Sequence, residues 1–233
     1  QHFDEAVPSK RVWHQDPAWL MALDNADWRR YVAETSLEWM RGNANQGMFF
    51  DVAVETSTSL FRPNEYLAAP MNFNWWQAPH KPAGYAGSIA SRSAFAAYMN
   101  EAYLRYFQHI YSQFHRGDSA FLVLPNADQM ITTVYDPVWL DGDTAGETVD
   151  GIMSESFGHA TGGALYLTLE RTLRHITGRG NILIAQAYPG EGYNRSRILA
   201  LFMLVKNRNS YINMISRNGV EWYAEYEVDL GRQ

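Results

Sequence analysis

Residues 151–157 read GIMSESF and residues 181–188 read NILIAQAY. Each is a short apolar run bounded by polar or glycine-rich positions, the pattern of a strand buried on both faces. Between them Ala164–Ile176 carries apolar residues at helical spacing, with Gly178 as its stop. Strand, helix and strand in this order make a βαβ unit, which implies a parallel sheet covered by helices.

The same alternation extends outward. Residues 120–125 (AFLVLP) and 47–54 (GMFFDVAV) read as two earlier buried strands, and Tyr211–Ile215 as a fifth. Ser93–Phe114 forms one long helix, with Phe95, Tyr98, Met99, Ala102, Phe107, Ile110 and Phe114 three or four residues apart. Arg197–Val205 is another helix. The polar run Asp24–Asp27 opens a helix bearing Trp28, Tyr31, Val32, Leu37 and Trp39, with Gly42 as its end. Residues 1–18 read as irregular apart from an extended piece at Arg11–Gln15. No repeat, linker or second domain is evident. The expected fold class is α/β, with parallel strands and outer helices in a partial (β/α)8 TIM-barrel-like arrangement occupying residues 1–233 as a single domain.

The chain of 233 residues is 46% apolar and 19% charged, a globular composition. Its net charge of −6 and lack of a basic run argue against a nucleic-acid partner. It has no cysteine, which excludes disulfides, thiolate metal sites and a Cys nucleophile. No apolar run is long enough to span a membrane as a helix. Aromatic residues reach 14%, with 8 Trp and 14 Tyr, side chains that serve both cores and sugar recognition.

In parallel α/β folds the chemistry gathers at the carboxyl ends of the strands. Asp51 interrupts an otherwise apolar run, and Glu155 sits between Ile152-Met153 and Phe157. A carboxylate so placed needs partners or a position at a site mouth. Two carboxylates at two strand exits match the needs of glycoside hydrolysis, in which one protonates the leaving oxygen and the other assists attack at the anomeric carbon. The longer side chain of Glu155 favours it as the acid. The alternative is that each carboxylate pairs with an arginine or caps a loop. Asn126, Asp128, Gln186 and Tyr188 stand at the other exits and are candidate substrate contacts. Trp75, Trp76 and His80 lie in a long segment, 56–91, rich in rings and amides, and segments of that length are usually functional. His109 and His115 are expected to face solvent or to form the C-terminal turn of the long helix, and Glu101–Arg105 to be a surface pair. HExxH, Walker, GxGxxG and GxSxG patterns are absent. Asp51, Asp128, Glu155 and His159 could in principle hold a metal, but their spacing is not diagnostic, so neither metal nor cofactor is expected.

Asp51, the segment 150–157 (DGIMSESF) and the late stretch 222–231 (WYAEYEVDLG) resemble hypothetical glycoside hydrolases with a TIM-barrel fold, akin to endo-galactosaminidase-like families. Residues 25–31 (NADWRRY) resemble the helix start that precedes the acid-bearing strand in such proteins. The resemblance implies Asp51 and Glu155 as the catalytic pair, with Glu225 of the late stretch added to the substrate contacts. It implies a carbohydrate substrate and favours an extracellular or periplasmic setting. Residues 1–46 cannot hold three βα units, so the expectation is the C-terminal part of a barrel, completed by another chain or segment. The competing reading is a non-catalytic carbohydrate-binding or structural barrel protein.

Overall fold

The computed structural model describes residues 3–4, 7–11, 13–15, 18–19, 23–51, 92–127, 147–189, 194–216, 219–220 and 222–227. The chain divides into two compact units: Gln1–Leu124 with Tyr135–Asp150, and Pro125–Val134 with Gly151–Gln233. The architecture is mixed α/β with parallel strands in small sheets, and no closed barrel is found among the described residues.

In the first unit, β1 (Phe3–Asp4) pairs antiparallel with β2 (Val7–Arg11), and β3 (Trp13–Gln15) with β4 (Ala18–Trp19), where the sequence reads as largely irregular. Helix α1 (Ala26–Gly42) starts where expected: the Asn25 side chain accepts from the Trp28 amide at 2.9 Å and satisfies one of the free N–H groups of the first turn. Its buried residues Ala33, Ser36 and Met40 recur at helical spacing, and this helix packs on α2 (Arg92–Gly117). Phe107, Ile110 and Phe114 of α2 are fully buried. Phe50, at the end of β5 (Gly47–Phe50), meets the rings of Tyr106, Phe107 and Phe114 at 6.1, 5.5 and 6.4 Å between centroids. Strand β6 (Leu122–Pro125) pairs with β5, and a Cβ on Gly47 would lie 2.6 Å from the Leu122 carbonyl oxygen.

Of the two histidines of α2, His115 lies in the helix's last turn, one of the two placements expected, but is held rather than solvent-facing. Its Nε2 lies 3.2 Å from Asp150 Oδ2, an oxygen that also accepts from the Val123 amide at 2.8 Å, and its ring stacks on Tyr111. His109 has its Nε2 enclosed, with no hydrogen-bond partner among the described residues. The Glu101–Arg105 pair forms as expected, both side chains being well exposed.

In the second unit, β7 (Gly151–Ser154), β8 (Ile182–Ala187) and β9 (Ser210–Ser216) are parallel neighbours, and β10 (Gly219–Val220) adds antiparallel to β9. The register sets Ser154 opposite Ala185 and Ala187 opposite Met214. Helix α3 (Gly162–Arg171) joins β7 to β8, and α4 (Arg195–Val205) joins β8 to β9. The predicted single helix over 164–176 instead relaxes into a π turn at Thr172–Ile176, and the chain reverses at Gly180 (φ +84°) rather than Gly178. The hydroxyls of Thr168 and Thr172 donate to the carbonyls four residues back, a competition that loosens helical hydrogen bonding. Ile152, Leu183, Ala185, Ala187, Ile198, Val205 and Met214 form the dry core.

Candidate functional site

Strand β7 ends at Ser154, not at Phe157, so Glu155 is the first residue beyond the last paired position. The turn that follows is pinned on several sides. The Phe157 amide donates to the Gln186 carbonyl at 2.9 Å, and the His159 amide to the Ser156 carbonyl at 3.0 Å. Gly158 takes φ +80°, a conformation that side-chain-bearing residues rarely adopt, and Arg197 Nη2 donates to the Ala160 carbonyl at 3.0 Å. Glu155 is thereby delivered, half-buried, to the carboxyl end of the parallel sheet.

Both of its carboxyl oxygens accept hydrogen bonds from neighbouring strand exits. Asn126 Nδ2 donates to Oε2 at 2.8 Å, and the Tyr188 phenol donates to Oε1 at 2.9 Å. Asn126 is itself buried and held by a parallel bridge to Met153, with the Ala127 amide donating to the Met153 carbonyl. Gln186 Nε2 donates to the Tyr188 hydroxyl oxygen at 2.5 Å. A phenol that accepts from Gln186 turns its own proton to Glu155, so Gln186, Tyr188 and Glu155 form a directed relay. The His159 Nε2 accepts from the Tyr188 amide at 3.4 Å, and the two rings meet edge to face at 6.1 Å. A carboxylate oriented by two donors and half-open to solvent can receive a proton or attack an electrophilic carbon.

Of the residues singled out in the sequence, the structure therefore brings together Glu155, Asn126, Gln186 and Tyr188. Asp51 lies just past β5 in the first unit and is exposed. Trp75, Trp76, His80 and Asp128 lie outside the described residues, and Glu225 is described only as backbone of a short 3-10 turn, Ala224–Glu227. The sequence placed Asn126 at a strand exit as a candidate contact; its partner in the structure, Glu155, lies 29 positions away. It assigned His159 only to a metal set, whereas its ring backs Tyr188.

Comparison with known proteins adds one finding. The family model described as hypothetical glycosyl hydrolase family 15 matches residues 3–233. No curated protein matches the chain.

Proposed function

The chain belongs to that family, and from this premise we propose that it hydrolyses glycosidic bonds of a polysaccharide or oligosaccharide by a two-carboxylate mechanism, with Glu155 and Asp51 as the pair. The observation that carries the reading is the clamp on Glu155 at the carboxyl end of β7, made by Asn126 and Tyr188 from the neighbouring exits. A salt-bridged structural carboxylate would be held by a cation. Among the described residues Glu155 is held by two neutral donors, which orient it. The strand order β7–β8–β9 with helical crossovers is compatible with one side of a (β/α) barrel, which we take as the parent architecture.

The hydrogen bonds favour Glu155 as the accepting carboxylate, the base or nucleophile, over the acid role that its length alone favours. Both donors point at its carboxyl oxygens, the arrangement that suits an accepting carboxylate. Asp51 is then the proton donor. Reducing-sugar release from a panel of polysaccharides, with native protein, Glu155→Gln and Asp51→Asn, tests this. Both variants are expected to lose hydrolysis of natural polysaccharide. On an aryl glycoside with a good leaving group, which needs no protonation, Asp51→Asn is expected to recover most of its activity and Glu155→Gln none. Near-native hydrolysis by Glu155→Gln removes that residue from the mechanism. Glycan binding by a native protein that cleaves nothing establishes the binding-protein reading instead.

A further inference from the structure

The second unit carries an exposed ring that the clamp on Glu155 does not use. Trp222 is 73% exposed, although it is anchored by its neighbours. Its indole meets the Tyr226 ring edge to face, 5.2 Å between centroids at 75°. Tyr226 is tied to the sheet, its hydroxyl oxygen accepting from the Met214 amide at 3.2 Å, and it meets Tyr223 at 5.8 Å. Tyr223 is buried, with the Arg195 guanidinium 4.5 Å above its ring. The indole is thus held at its foundation while most of its surface meets water.

Its place in the fold gives that exposure a use. Met214 is the register partner of Ala187, the residue immediately before Tyr188. Strands β7, β8 and β9 are parallel, so the Trp222 anchor lies toward the same end of the sheet as Glu155, and β7 and β9 are two strand spacings apart, roughly 10 Å. Arg195 begins α4, which leaves that same end. Among the described residues the other exposed rings of this unit lie elsewhere: Tyr166 is on α3, and Tyr211 is near the start of β9, opposite Ile184. Indole faces suit the apolar C–H face of a pyranose ring, and a flat, rigid ring gives up little conformational entropy on binding.

We propose that Trp222 is a sugar-stacking platform at an outlying subsite of the Glu155 site, held in place by Tyr226, Tyr223 and Arg195. The substrate is then a glycan chain that extends well beyond the bond being cleaved. This rests on the glycoside hydrolase reading for its substrate class, but its test reads binding rather than cleavage. Affinity is measured in native gels cast with soluble starch, xylan, β-glucan, galactomannan or chitosan, using Glu155→Gln so that nothing is consumed. At least one gel is expected to retard this protein. Adding Trp222→Ala is expected to weaken that affinity roughly ten-fold, and Trp222→Tyr to restore most of it, with thermal unfolding only slightly lowered because most of the indole is exposed. Retardation equal in the Ala variant and its parent overturns the platform, as does failure of every gel to retard the parent. Binding that depends on Trp222 in a native protein without hydrolytic activity upholds the platform and sinks the hydrolase reading. Hydrolysis by the native protein with Trp222-independent binding does the reverse.

Discussion

The phenol of Tyr188 accepts from Gln186 at 2.5 Å and donates to Glu155 at 2.9 Å, so Tyr188→Phe removes two hydrogen bonds while keeping the ring. A hydrogen bond to a charged group is worth about 1.5–3 kcal/mol, so the variant is expected to lower kcat roughly 10- to 100-fold, with a smaller change in KM. Steady-state kinetics on a cleaved polysaccharide checks this, and an unchanged kcat would leave Tyr188 as packing alone. At this scale the sequence revealed Glu155 because a carboxylate stands out in an apolar run. It named Gln186 and Tyr188 because they end the next strand. It placed Asn126 at a strand exit but could not single out Glu155 as its partner, because that choice depends on strand pairing between segments distant in sequence.

Among the elements, those with strong periodicity were the most legible. Helix α1 begins and ends at the residues its capping pattern indicated, and β8 and β9 match their apolar runs to within a residue or so at each end. The π turn after α3 was hidden because threonine hydroxyls and tertiary packing set it, not hydrophobic spacing. The enclosure of His109 on α2 was equally hidden, since it arises from packing. Burial lowers its pKa from the ordinary 6.5; Arg29, Arg116 and Arg30 lower it further, and Glu34 opposes them. The unfolded chain therefore takes up this proton at a higher pH than the native one. Across the window between the two values the unfolded state binds more protons, so native stability rises with pH and falls as pH drops below about 6.5. Urea unfolding at about pH 7.5 and about pH 5.5 is expected to show a lower midpoint at the acid pH, and His109→Gln a smaller difference between the two. An identical pH dependence in the variant would assign the acid sensitivity to other groups.

Across the whole molecule, the two proposed carboxylates belong to different compact units, Asp51 to the first and Glu155 to the second. The α/β class and the parallel pairing were legible because buried parallel strands leave continuous apolar runs. The division into two units was not, because apolar runs record burial but not which segments pack together. Whether Asp51 and Glu155 act on one bond is a question of energetic coupling, and kinetics can answer it. If they serve the same transition state, removing either disables the same step, so Asp51→Asn with Glu155→Gln is expected to be no slower than the slower single variant. If instead Asp51 acts elsewhere, by supporting folding or binding a remote part of the substrate, the losses in kcat/KM should multiply as those of independent sites do. Measuring kcat/KM for the native protein, both singles and the double on one polysaccharide distinguishes the two. Multiplicative losses would leave Glu155 as the site carboxylate and require another residue as its partner.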